Sequence, residues 1–566
     1  MKEFVKFIES IRPKFEKLSR NAYLRSIREG FLAATSVLLF GSIFLLIAFI
    51  PKLFGVSMSP ETQSLIMKPY FYSIGFLGLV IAGTTSKTLT DSFNRSMEST
   101  NQINNISTLL AGVLGFLLLA SDSFFGGFTS EFVGSIGLIP AFVSAIITVN
   151  VFKICIKNNV TIKLHEEIPP NLAQTLKDAI PFSISILIMF LIDICSRKFF
   201  GENFASLTIQ FLRPLFDLAD SYIGLVIIYG AMTLFWFSGV HGPSIVEPII
   251  AFIAYANLDA NLMFLTNGMH ANALVTPGLQ SFVATIGGTG ATFVVPFIMM
   301  WFLKSKQSKS VGRSSVFPTS FGVNEPVLFG TPLISNHMFA IPFLVTPIVN
   351  VFLFKFFVEF LGMNSFSYFL PWMIPGPLGL VMGTGFDKLS IVLTILILIV
   401  DTIIYYPFLR CYDKKMLLEE SKIETNVIEN EKNEKNEINE EQKVEKEIEN
   451  NCDANLQKTI SDKKNVLVLC AGGGTSGLLS NALNKAAVEN NIKVDSAAGS
   501  YGAHNDILKD FDLVILAPQV ASNYEDIKKD TDKLGIKLVK TQGVEYIKLT
   551  RNPKEALDFV LKQFSE

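Results

Sequence analysis

Ten apolar stretches, each about as long as a helix that crosses a bilayer, recur along residues 1–410 of this 566-residue chain. They lie at 30–50, 70–88, 103–120, 133–155, 179–195, 223–240, 245–265, 281–303, 338–361 and 389–409. A hydrocarbon core takes roughly 20 helical residues to cross, and backbone at that depth must find its hydrogen bonds inside the protein. We therefore expect a polytopic α-helical membrane domain of about ten spans. Composition agrees, since 49% of residues are hydrophobic, 17% are charged and 50 are Phe. A soluble enzyme does not carry that balance.

The loops between the stretches set an orientation. The N-terminal arm, the loop from Lys87 to Arg95, the loop from Lys153 to Lys177, the loop from Lys304 to Arg313 and the Lys414 region all fall on one side. By the positive-inside rule that side is the cytoplasm, which puts both termini there. Arg197 and Lys198 fall on the opposite side and stand as the exception. Residues 1–28 are too long, charged and amphipathic for a signal peptide, and are expected to persist as a surface helix. Two further stretches resist reading as plain spans: "SSVFPTSFGVNEPVLFGTPLISN" at 314–336 and "FSYFLPWMIPGPLGLVMGTGF" at 366–386. Both are apolar yet rich in Gly and Pro. Broken backbone of this kind is tolerated where protein or a watery cavity satisfies it, and in transporters it carries the substrate site.

Residues 411–464 change character to "IENEKNEKNEINEEQKVEKEIENN", which has no aromatic residue and no apolar period. This is an acidic, solvated tether, whose coil of about fifty residues spans ~40 Å. Residues 465–566 then alternate strand and helix signals: "VLVLC", "SGLLSNALNKAAVENN", "KVDSAA", "FDLVILAP", "NYEDIKKDTDKLG", "IKLVKT" and "NPKEALDFVLKQF". That pattern predicts a small α/β domain, doubly wound around a parallel sheet. Its ligand belongs at the carboxyl ends of the strands.

The first of those strands ends on Cys470 and runs into Ala471, Gly472, Gly473, Gly474, Thr475, Ser476 and Gly477. A Gly-rich turn lets backbone N–H groups converge on an anion, and the following helix adds its positive end. The same field favours a thiolate. Cys470 is thus a candidate nucleophile facing a phosphate cradle. A nucleotide-binding loop would need Gly-Lys-Ser/Thr, and no lysine follows Gly474. A low-molecular-weight cysteine phosphatase would need an arginine six residues after the cysteine, where this chain has Ser476. Without that clamp the loop suits a phosphoryl relay better than hydrolysis. The five cysteines show neither paired nor finger-like spacing, so no disulfide framework and no metal site is expected.

At these residues the chain resembles the lactose-type EIICB permeases of the bacterial phosphoenolpyruvate-dependent sugar phosphotransferase system, within the lactose/cellobiose family. The tail stretches that carry the resemblance are "VLVLCAGGGTSGLL", "AAGSYGAH", "FDLVILAPQVASN", "TDKLGIKL" and "YIKLTR". In the membrane part they are "FWFSGVHG", "GVNEPVLFG" and "PWMIPGPLG". The resemblance implies an EIIC sugar-translocating domain over 1–410, a linker over 411–464 and an EIIB phosphocysteine domain over 465–566. It implies that a phosphorylated EIIA of the lactose type charges Cys470, which then phosphorylates a disaccharide held by EIIC and releases sugar 6-phosphate inside. It also implies a multi-pass protein of the bacterial cell membrane, homodimeric through the membrane domain, with the lipid bilayer as surroundings. Neither a cofactor nor a nucleic-acid partner is implied.

Carried over by motif, the His of "HG" falls on His241 and the Glu of "NEP" on Glu325, beside Asn324. Ionisable groups at membrane depth are functional by default. Glu325 can accept sugar hydroxyls or take the proton of the attacking one, and His241 can do either. His241 next to Gly242 and Pro243 also suits a helix cap, and Asn324–Pro326 also suits a turn. Glu247–Pro248 echoes the second motif at a span start. Trp236 and Trp372 can stack on a sugar ring or simply pack. His504 can flank the phosphocysteine or lie on the surface. Two other readings compete. One is a secondary transporter with a sensor tail, which would want paired intramembrane carboxylates and offers Asp193 and Asp401. The other is a membrane-tethered phosphatase, which the missing arginine opposes. Within the family, a cellobiose or other β-disaccharide specificity is the alternative to lactose.

Overall fold

The computed structural model describes residues 21–51, 58–95, 97, 102–162, 170–331, 333–334, 336, 338–437, 464–470, 474–490, 492–501, 507–541 and 543–565. It divides into two compact units. One comprises 1–293, 320–322 and 341–401, and the other 294–319, 323–340 and 402–566.

The first unit is helical. Its helices are α1 (Ala22–Ala33), α2 (Thr35–Phe49), α3 (Pro60–Phe71), α4 (Leu77–Asn94), α5 (Asn105–Ala120) and α6 (Leu138–Lys157), followed by α7 (Pro170–Phe200), α8 (Phe204–Asp220), α9 (Tyr222–Phe237) and α10 (Pro243–Thr266). Among the described residues five helices are long and apolar enough to cross a membrane, and the number rises to eight when each of three bent pairs is counted as one span. The bends are 45° between α1 and α2, 42° at the α3–α4 junction and 77° between α8 and α9. The sharpest falls at Ser221, whose extended backbone ends α8 while its hydroxyl caps α9 by accepting from Gly224 N at 3.1 Å. Apolar side chains such as Phe40, Ile43 and Ile47 remain exposed along one face of α2, as lipid-facing residues at helical spacing should.

The exceptional Arg197 is accounted for locally. Its Nε donates to Asp193 at 2.7 Å, and its Nη2 pairs with Asp122. Two carboxylates thus offset the charge of this cation.

The stretch 281–303, expected as a continuous span, is not one. A single π-helical turn at Gln280–Ala284 gives way to turns in which Gly287, Gly288, Gly290 and Ala291 all take positive φ. Helix resumes in the second unit only as the eight-residue α11 (Val295–Phe302). The reason is local: "GGTGA" supplies three glycines that enter the left-handed region without penalty, and average hydropathy does not register this. The two other irregular stretches are broken as expected. In the first, α12 (Lys306–Ser320) stops before Gly322 (φ +82°) and the six-residue α13 (Glu325–Gly330) follows. In the second, 363–375 has no regular helix before α15 (Gly376–Gly383), which lies between α14 (Ala340–Leu361) and the long α16 (Lys388–Glu437).

The second unit also contains a four-stranded sheet. Its strands are β1 (Lys464–Cys470), β2 (Val494–Ser500), β3 (Leu513–Leu516) and β4 (Lys537–Lys540), in the order β2-β1-β3-β4 and all parallel. Helices α17 (Gly474–Glu489), α18 (Tyr524–Leu534), α19 (Gly543–Arg551) and α20 (Pro553–Ser565) connect and flank them. Val466, Val468 and Cys470 enter one hydrophobic cluster, with Leu479, Leu483 and Val560. Leu467 and Leu469 enter another on the opposite face, with Val514 and Ile527. A strand buried on both faces reads as the continuous apolar run seen here. The two-residue pairing at Ser123–Phe124 and Gly127–Phe128 is a separate hairpin in the first unit.

Gly287 tests the break at the glycine run. Its φ is +70°, and a Cβ there would meet Phe293 Cα at 2.3 Å, a backbone atom that cannot swing away. Gly287→Ala is expected to cost at least about 2 kcal/mol. Thermal unfolding in detergent should show a clearly lower midpoint; an unchanged midpoint would mean that the break does not depend on this glycine.

Candidate functional site

In the sheet, β1 pairs with β2 on one side and β3 on the other, so the chain reverses its direction of winding at β1. The carboxyl end of a strand at such a switch point opens a crevice between outgoing loops. Cys470 is the residue at that end. Its backbone carbonyl accepts from Tyr501 N at 2.8 Å, and Leu469 O accepts from Ala517 N at 2.9 Å, which hold the strand tip in place. Ala471, Gly472 and Gly473 lie outside the described residues, as does His504. The backbone of Gly474 and Thr475 opens α17, and Ser476 and Gly477 fall in its first turn. That turn brings Ser476 Oγ to 3.3 Å from Cys470 Sγ and, on its other side, 3.3 Å from Gly499 O. Both side chains are buried. The position that a cysteine phosphatase fills with a guanidinium therefore holds a neutral hydroxyl in contact with the sulfur. Such a group can donate to a thiolate or a phosphoryl oxygen without clamping a second acceptor.

In the first unit, α9 ends at Phe237, and the turn 238–242 carries His241 to the start of α10. The imidazole does cap that helix: Nδ1 receives the Ser244 backbone N–H at 3.2 Å and lies 2.5 Å from Ser244 Oγ. A backbone N–H can only donate, so Nδ1 is the acceptor and the neutral ring carries its proton on Nε2. The capping and functional roles thus use different nitrogens. Trp236 packs against the same ring, with centroids 4.8 Å apart, and its buried indole N–H has no hydrogen-bond partner. A buried donor left unused calls for an explanation, and a ligand oxygen supplies one. Trp372 behaves differently. It is 52% exposed, in a turn close to Gly322, and is free of core packing.

Glu247, one turn into α10, accepts a hydrogen bond from Gln280 Nε2. Gln280 opens the π-helical turn where the expected span breaks, and π turns gather at functional positions. Sequence reasoning passed over Gln280, although the glycine run seven residues later was the available signal. The extended segments beside this turn are held by side chains. Asn261 binds Ala273 O at 2.8 Å and Phe366 O at 2.9 Å, Asn257 binds Val275 O at 3.0 Å, and the Asp220 carboxylate accepts from Leu274 N at 2.9 Å and Val275 N at 2.7 Å.

Asn324 and Glu325 belong to the second unit. The Asn324 carbonyl accepts from Val327 N and Leu328 N, both at 2.9 Å, so the residue initiates α13 through its backbone while its side chain is buried. Glu325 is the first residue of α13 and is followed by Pro326, which needs no N–H donor there. Of the two carboxylates that a coupled transporter would have paired, Asp193 is bound to Arg197, and Asp401 accepts from Asn350 at 3.3 Å. They are not partners of each other. Among the described residues no group of three or more His, Cys, Asp or Glu could hold a metal ion.

Two family models match the chain: "Phosphotransferase system, EIIC" over residues 28–347 and "PTS system, Lactose/Cellobiose specific IIB subunit" over 465–559. Among curated proteins, the chain is 56% identical to the PTS system lactose-specific EIICB component of Staphylococcus aureus and 54% identical to that of Staphylococcus haemolyticus. Both alignments cover 100% of each sequence. Among solved structures it is similar to the transporter ChbC, the IIC component from the N,N'-diacetylchitobiose-specific phosphotransferase system. The TM-score is 0.68 at 24% identity, over 73% of this chain and 99% of that one. That likeness establishes the helical fold.

Ser476 gives the cysteine site a direct test. Removing one donor from an anion site costs about 10²-fold in rate, so Ser476→Ala is expected to slow phosphorylation of the IIB domain by about that factor without unfolding it. Intact-mass measurement of phosphoprotein against time reads it, and a rate equal to wild type would remove the hydroxyl from the chemistry.

Proposed function

We propose that this chain, which belongs to the EIICB components of the sugar phosphotransferase system, takes up lactose and delivers it to the cytoplasm phosphorylated on its 6-hydroxyl, with Cys470 as phosphocysteine donor. Members of this family couple sugar transport to phosphorylation by a IIB domain, so the chain is a multi-pass membrane protein and a sugar phosphotransferase. The observation that carries the finer reading is the position of Cys470: it ends the central strand at the switch point of the sheet, with a hydroxyl at 3.3 Å where a hydrolase would place arginine. Lactose is favoured over cellobiose or another β-disaccharide because full-length relatives at 54–56% identity carry that specificity.

The domains are EIIC over 1–410, a linker over 411–464 and EIIB over 465–566. Phosphorylated EIIA of the lactose type gives its phosphoryl group to Cys470 Sγ, in a cradle made by Ala471, Gly472, Gly473, Gly474, Thr475, Ser476 and Gly477. The sugar O6 then attacks phosphorus, the S–P bond breaks as the O–P bond forms, and the Cys470 thiolate leaves. The hydroxyl proton goes to Glu325, the carboxylate at the start of α13. His241 supports the opposite role. With Nδ1 occupied as an acceptor, its Nε2–H is a donor for a sugar or phosphoryl oxygen. The unused Trp236 indole N–H, Asn324 and the open face of Trp372 supply the remaining sugar contacts. The basic loops support a cytoplasmic location for both termini, and a homodimer through the membrane part belongs to the same proposal.

The test uses membranes holding the chain, phosphoenolpyruvate, the general phosphotransfer proteins and a lactose-type EIIA. Wild type should form lactose 6-phosphate and Cys470→Ser none, while both bind lactose. Glu325→Gln is expected to lower turnover about 10²- to 10⁴-fold, the range for a lost general base, with phosphocysteine accumulating. A wild type that is phosphorylated yet yields phosphate only on cellobiose would change the sugar. One that imports free lactose without taking up phosphate would sink the relay.

A further inference from the structure

Resting on the lactose reading just proposed, we infer that Glu247, held in place by Gln280, accepts hydrogen bonds from hydroxyls of the disaccharide. The phosphoryl transfer described above leaves this pair without a task. A site built to bind a sugar hydroxyl rejects the analogue that lacks it, because the buried acceptor is then left unpaired. It does so only where a second group fixes the direction of the acceptor.

All the residues concerned belong to the first unit. His241, Ser244 and Glu247 follow one another at intervals of three, a spacing that keeps residues on one helix face. The first two are in contact, with Ser244 Oγ 2.5 Å from His241 Nδ1. Glu247 therefore continues a strip that begins with the histidine and with Trp236 against its ring. Facing the far end of the strip, the Gln280 amide donates to Glu247 Oε1. Among the described residues these two side chains make no other hydrogen bond, so Glu247 Oε2 and Gln280 Oε1 are acceptors without donors. At the near end, Trp236 Nε1 is a buried donor without an acceptor. A ligand rich in hydroxyls answers both, since each hydroxyl donates and accepts.

The position of Gln280 is fixed in turn. It opens the π-helical turn Gln280–Ala284, and α15 packs closely on that turn and on the residues after it. A Cβ on Gly379 would meet Phe282 at 2.3 Å, and one on Gly376 would meet Ile286 at 2.5 Å. A turn pressed by α15 on one side and tied to α10 on the other fixes the amide, and the amide fixes the carboxyl group. The segment entering α15 also carries Trp372, four residues before Gly376, whose exposed indole is an aromatic face for a sugar ring.

The test measures sugar binding to the full chain in membranes, with no phosphoryl donor present, using lactose and a set of lactoses that each lack one hydroxyl. Glu247→Gln is expected to raise the Kd for lactose at least about tenfold, the scale of a lost buried hydrogen bond. For the deoxylactose that lacks the contacted hydroxyl, the variant and wild type should bind within about threefold of each other. An unchanged Kd for lactose overturns the inference. So does an equal loss for lactose and every deoxylactose, which would make the pair a brace of the turn. Gln280→Met keeps the side-chain length and removes the donor. It should weaken lactose binding as well, and the double variant should bind no more weakly than Glu247→Gln alone, because the amide acts only through the carboxyl group; additive losses overturn the positioning role. If Glu247→Gln does not fold, Gln280→Met against the same deoxylactoses decides by the same two outcomes. Failure of the relay shows separately, as wild type that binds lactose yet never forms phosphocysteine when donors are supplied, and it leaves this inference standing. Wild type that binds cellobiose and no lactose sinks the lactose reading, and the inference then stands or falls on deoxycellobioses by the same comparison.

Discussion

The membrane unit depends on keeping non-helical backbone satisfied where water does not reach. An amide left unpaired in hydrocarbon costs several kcal/mol, and the segments at 269–276 and 363–368 are extended. Two asparagines one turn apart on α10 supply much of the answer. Asn261 donates to Ala273 O and Phe366 O while accepting from Ala273 N at 3.0 Å, and Asn257 donates to Val275 O. Asp220, at the end of α8, receives two further N–H groups, and Ser365 Oγ adds a bond to Ala273 O at 2.7 Å. These side chains make a broken region possible, and the broken region gives Gln280, Glu247 and their surroundings a polar lining inside an apolar body.

The cysteine domain solves a different problem with the same economy of parts. A parallel sheet with strand order β2-β1-β3-β4 buries its central strand on both faces, so the strand tip is the place where backbone groups emerge. Ending that strand on cysteine, and opening the next helix with glycine, threonine and serine, gives a nucleophile, a helix N-terminus and a hydroxyl within one loop. A neutral hydroxyl stands at the strand tip where a cysteine phosphatase would place a guanidinium clamp.

His241 shows how one residue supports two readings at once. The motif "VHG" before proline predicts both a helix cap and an intramembrane functional histidine. The structure assigns Nδ1 to the cap and thereby settles which nitrogen keeps the proton. Asp193 and Asp401 show the opposite case. Each stood out in sequence as an isolated intramembrane carboxylate, and each has an ordinary neighbour, Arg197 four residues along the same helix and Asn350 from α14. An i, i+4 pair is legible in sequence once sought; a pair 51 positions apart is not.

By itself the sequence determined the class of each part, because those properties are carried by local pattern. Run length sets the need for helices in a bilayer, and alternating strand and helix signals set a parallel sheet. The sequence also marked 314–336 and 366–386 as broken, since Gly and Pro act on their own neighbours. It misjudged 281–303, where apolar content concealed a glycine run that takes positive φ, and it passed over Gln280. Those were decided by tertiary structure alone. A glutamine acquires its meaning from the glutamate 33 residues away that it binds. Hydrogen bonds and charges act through space, and only the folded chain says what is near.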